Sequence, residues 1–213
     1  MILVPDGINE AIATEYALAE EVAQKNLKNN LSVIEEWKKL PESVGWHMLA
    51  CDISDGHVFY NTWIDTKVLK KYFELFTQDS FKSLFFRYMK FCGRRVKCGE
   101  LEVAEVVVTH GDTAPAVLFQ AIGKEAIEEI PGFFGNFYIR KVDLASELER
   151  YNRLLATQDL NSLIQRGVQF YNAPCSNSED RKVVEDIINA LPKAIEYANE
   201  KQCGLLGLVV TAG

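Results

Sequence analysis

The sequence predicts an α+β protein, because amphipathic helical stretches are interspersed with β-branched and aromatic runs, and two of those runs face each other across a tight turn. The runs are Trp46 to Ile53 and His57 to Ile64, and Ser54-Asp55-Gly56 between them is a strong turn signal. The expected architecture is a small, partly antiparallel sheet. It contains this hairpin (about 46–64) and strands near 101–109 and 204–211, packed against several amphipathic helices. No break in composition and no long Gly, Ser or Pro linker divides the chain, so 1–213 reads as a single globular domain.

The first forty residues read as helical, with Ile8, Ile12, Tyr16, Leu18 and Val22 near a 3.6-residue period and Asp6 as a cap behind Pro5. Asn26 to Asn30 interrupts, and a second helix over about 31–39 ends at Pro41. After the hairpin, Val68, Leu69, Tyr72, Phe73 and Phe76 restore the helical period. Asp79 or Ser80 then caps a helix from Phe81 to Phe91 that ends near Gly93.

Strands are expected over Leu101 to Thr109, over Ala116 to Ile122 and over Asn136 to Val142. Helices follow over Leu144 to Leu155 and Leu160 to Gln165. Ser178 with Glu179 and Asp180 opens a further helix, whose stripe is Val183, Val184, Ile187, Ile188, Leu191, Ile195 and Ala198. Pro192 inside that stripe implies a kink or a break. The apolar run Gly204 to Thr211 suits a strand buried on both faces. Side by side and parallel, the 101–109 and 204–211 strands would end on one rim.

Composition narrows the function classes. The 213 residues are 48% hydrophobic and 11% aromatic, enough for a packed core, and the net charge of -7 disfavours nonspecific binding to nucleic acid. Five scattered cysteines with no Cys-x-x-Cys pair fit a reducing cytoplasm. The N-terminus does not read as a secretory signal, and Gly204 to Val210 is far too short to span a bilayer. A soluble cytoplasmic protein with no membrane contact is expected.

The candidate chemistry centres on Leu101 to Gly123, where a β-branched run stops on Thr109-His110-Gly111-Asp112-Thr113. A strand end that delivers a histidine and a carboxylate into one loop makes His110 and Asp112 the candidate catalytic pair. Two such groups do not make a metal site, so no metal and no cofactor are expected. Glu105 sits between valines, but strand alternation points it to the opposite face from His110 unless a bulge intervenes, so it reads as structural.

Six basic residues (Lys82, Arg87, Lys90, Arg94, Arg95, Lys97) precede a stretch from Glu100 to Glu129 with seven acids and Lys124 alone. Arg94 and Arg95 are candidate contacts to a ligand or partner, and the acidic neighbour is the expected internal counter-charge. Those cations would lower the thiol pKa of Cys92 or Cys98 beside them, but nothing in the sequence places a histidine against either thiol, and buried inert cysteine is the ordinary outcome. Phe133 and Phe134, in the glycine-flanked aromatic loop Pro131 to Tyr138, are candidate contacts as well.

The reading that makes the weakest demands on these residues is a soluble, noncatalytic module that binds a protein partner or a small ligand. The alternative is a hydrolase-like enzyme with a strand-end His/Asp site. A further alternative is contact with phosphate or nucleic acid through the basic segment 82–97.

Overall fold

The computed structural model describes residues 1–29, 90–109, 114–123, 126, 129–132, 137–171 and 178–208. The hairpin over 46–64, the helices over 31–39 and 66–76 and the residues past 208 lie outside the described residues. Within them the α+β class holds. Strands β1 (Ile2–Val4), β2 (Phe137–Ile139) and β3 (Gly204–Gly207) form a sheet in the order β1-β3-β2, with both pairings antiparallel. The helices are α1 (Asp6–Asn29), α2 (Ala114–Ile122), α3 (Leu144–Ala156), α4 (Leu160–Tyr171) and α5 (Ser178–Glu200), with a further helical stretch over 90–97.

Register turns this short sheet into a partition between two cores. Successive strand side chains point to opposite faces, so Leu3, Leu205 and Ile139 share one face while Ile2, Leu206 and Tyr138 share the other. The first face enters the larger core, which α2, α3, α4 and α5 complete. The second enters a smaller core with Ile12, Cys92 and Leu101, lined by Ile8, Tyr16, Phe91 and Val96. Helices therefore cover both faces, which is why the Gly204 run is apolar at every position rather than at alternate ones.

Several expectations are met and several are corrected. β3 is the central strand and is buried throughout. The stripe of α5 holds, with Val184, Ile187, Ile188, Leu191, Ile195 and Ala198 all buried. The N-terminal segment is not helical from its first residue, because Ile2–Val4 is a strand. A three-residue strand carries no period of its own, and only pairing with β3 reveals it. In α1 the inward stripe is Ile8, Ile12 and Tyr16, whereas Leu18 is exposed.

The stretch 116–122 is helix α2 and not a strand. It packs against both α4 and α5, so most of its described positions are buried, and an unbroken apolar run cannot tell a buried helix from a buried strand. Pro115 in its first turn needs no hydrogen-bond partner there.

Polar groups close the helix ends. Gln158 Nε2 donates to the Ile122 carbonyl at 3.2 Å and Arg166 Nε to the Ala121 carbonyl at 2.8 Å, which pins the last turn of α2 onto α4. Arg166 is held in turn by Gln158 Oε1 at 2.5 Å. At the start of α4, Asp159 Oδ2 accepts from the Ser162 amide at 2.8 Å and the Ser162 hydroxyl at 2.9 Å. These bonds hold the Asp159 carboxyl below its ordinary pKa, the amide contributing most.

A depressed carboxylate pKa stabilises the fold above its unfolded value, and the contribution is lost as pH falls through the folded one. Asp159→Ala should therefore lower the thermal midpoint at neutral pH, and the gap to wild type should narrow in acid. Thermal unfolding across pH checks this; a gap that stays constant as the pH falls would refute it.

Pro192 neither breaks nor ends α5, which runs on to Glu200. Proline has no N–H for the carbonyl four residues earlier, which is that of Ile188. The Tyr151 hydroxyl, from α3, donates to that carbonyl at 2.9 Å. The bond lies in the buried interface between the two helices.

Candidate functional site

Of the candidate residues, His110 and Asp112 lie outside the described residues, as do Phe133 and Phe134. His47 and His57 do too. Among the described residues no group of His, Cys, Asp or Glu comes together as a metal site, and no helix is long and apolar enough to cross a membrane. Two surfaces formed by parts of the sequence-identified segments, residues 90–100 and 101–109, lie within the described residues.

The first is the end of the 90–97 helix. The helix runs through Gly93, past its expected end, because Phe91, Cys92 and Val96 are held against the smaller core. It stops where Gly99 takes φ +71°, with Gly99 N–H donating to the Val96 carbonyl and Glu100 N–H to the Arg95 carbonyl. That turn brings Glu100 back to Arg95, at 2.6 Å, while the Arg95 guanidinium stacks 4.5 Å from the Phe91 ring centre. Arg95 is thus neutralised within the chain.

Arg94 is exposed beside it, and with Lys90, Cys98 and Glu15 these groups line a depression of about 490 Å³. Three cations, Lys90, Arg94 and Arg95, and two carboxylates, Glu15 and Glu100, line it. The counter-charge expected from the acidic stretch is present at Glu100.

Cys92 meets the expectation of a buried, inert cysteine. Cys92 is buried and its pKa is pushed up to about 12, since desolvation outweighs the pull of Arg95. Nearness in sequence to cations does not lower a thiol pKa when the helix turns the thiol into a core. Cys98 is exposed at the helix end. Alkylation of the folded protein with iodoacetamide, mapped by mass spectrometry, should modify Cys98 and leave Cys92 unmodified until the protein unfolds; prompt labelling of Cys92 would contradict this.

The second surface is the stretch 101–109, which is not the strand expected there and meets the edge of the sheet at β1 without adding a strand to it, because its backbone pairs with β1 only around Val103. It joins through one bridge, Ile2 to Val103, with Leu3 N–H donating to the Glu102 carbonyl at 2.7 Å. The antiparallel pairings on either side of β1 give the stretch the same direction as β3, but β1 lies between them, so the two do not share a rim as neighbours. Next to the bridge, Ala104 and Glu105 both donate to the Met1 carbonyl, at 2.8 and 3.2 Å. Two consecutive residues opposed to one are the mark of a β-bulge.

The bulge changes which side chains share a face. Val103 is paired with Ile2 and so lies on the face of the smaller core. Ala104 and Val107, three apart instead of two, both pack on the larger core, whereas Val106 and Val108 are exposed. Val103, Val106 and Val108, within six residues of one another, are 44%, 65% and 68% exposed.

On the larger-core side, the Glu102 carboxylate accepts from the Tyr197 hydroxyl of α5 at 2.8 Å, and Lys201 lies 5.2 Å from the Tyr197 ring centre. That hydrogen bond raises the Tyr197 pKa above its ordinary value. Glu105 is half-buried near the Met1 ammonium, which burial lowers and the Glu105 charge raises in pKa. The Met1 amino group also donates to the Glu105 carbonyl.

The exposed valines were not singled out from the sequence. The run of β-branched residues signalled them, but strict alternation does not give this set of exposed positions. Comparison of the chain with protein-family models, with curated proteins and with solved structures finds no match.

Proposed function

We propose that this protein is a noncatalytic binding module, and that the surface formed by Val103, Val106 and Val108 receives apolar side chains of a protein partner. The observation that carries the reading is the exposure of three valines within six residues, beside the bulge at Ala104 and Glu105. Contiguous exposed apolar side chains at the rim of a folded sheet mark interaction surfaces. Backbone hydrogen bonding holds the stretch against the N-terminal strand as far as Glu105, next to Val106. The bulge also disrupts the ladder at the sheet's outer edge, which disfavours strand-on-strand stacking of copies and favours contact through side chains. The internal neutralisation of Arg95 makes the basic segment a weaker candidate for the same role.

The test uses 1-anilinonaphthalene-8-sulfonate as an apolar probe and the double substitution Val106→Glu with Val108→Glu. Wild type should enhance the dye's emission with saturable binding, and the variant should lose most of that emission while keeping its thermal midpoint. Equal emission from both proteins would overturn the reading. So would a large fall in the variant's midpoint, because it would mean that the valines are covered by this chain's own core.

A further inference from the structure

We draw no further inference here: the strongest candidate, the apolar groove of about 520 Å³ between α3 and α5 lined by Ala145, Leu148, Ala156 and Ile195, is an unpartnered helix surface, and nothing in the structure shows what covers it.

Discussion

Gly167→Val is expected to destabilise the protein by about 3 kcal/mol, the upper part of the range for overpacking a close-packed core. Gly167 lies buried in α4 where that helix meets α2 and α5. A Cβ built there would stand 2.5 Å from Val184 Cγ1 and 3.5 Å from the Ala121 Cβ. Val184 is fully buried, so its methyl has little free volume to move into.

Gly167→Ala separates the opposing effects. Alanine gains about 1 kcal/mol of helix propensity over glycine, and the clash works against it. The clash should dominate, leaving the single alanine variant destabilised, and Val184→Ala should partly rescue it by removing the facing methyls. Chemical denaturation of the four proteins measures both terms. A Gly167→Ala variant more stable than wild type would show that the helices do not approach as closely as described.

Tyr151→Phe carries the second large expectation, a loss of about 1–3 kcal/mol, the cost of leaving a buried backbone acceptor without a donor. The ring is kept, so apolar packing changes little, and the loss comes from the Ile188 carbonyl. That carbonyl depends on Tyr151 only because Pro192 has no N–H to supply. The dependence gives the test its specificity. Replacing Pro192 by alanine restores a donor four residues along the helix, so Tyr151→Phe should cost much less in the Pro192→Ala background than in wild type. Additive losses in the double-mutant cycle would show that the hydroxyl and the proline are not coupled.

The stripes of α3 and α5 were legible in the sequence because a helix burying one face leaves a periodic record. Leu144, Leu148, Tyr151, Leu154 and Leu155 are each buried or packed against the larger core. The apolar character of β3 was legible for a related reason, since helices on both faces remove any need for alternation. Where burial surrounds an element on all sides the record becomes ambiguous. The 116–122 run read as a strand and is helix α2, enclosed by α4 and α5.

Less of the candidate site was legible. Alternation along 101–109 predicted faces for every side chain, and it identified a bulge as the one device that would alter them. Whether a bulge exists depends on two N–H groups competing for the Met1 carbonyl, a contact across about a hundred residues of chain that no local pattern encodes. The charge of the basic segment was visible, but the pairing of Arg95 rests on the Gly99 turn that carries Glu100 back to it.

By itself the sequence determined the class of the fold, the buried faces of its longer helices and the two-sided burial of its central strand. Those properties follow from hydrophobic period, and period survives in the order of residues alone. Only the tertiary structure decided that Ile2–Val4 is a strand, that Cys92 is a protonated core thiol, that Tyr151 supplies the hydrogen bond Pro192 lacks, and that Val103, Val106 and Val108 are exposed. Each of these depends on a partner distant in sequence or on a turn in the backbone, so its energetics exist only once the chain has folded.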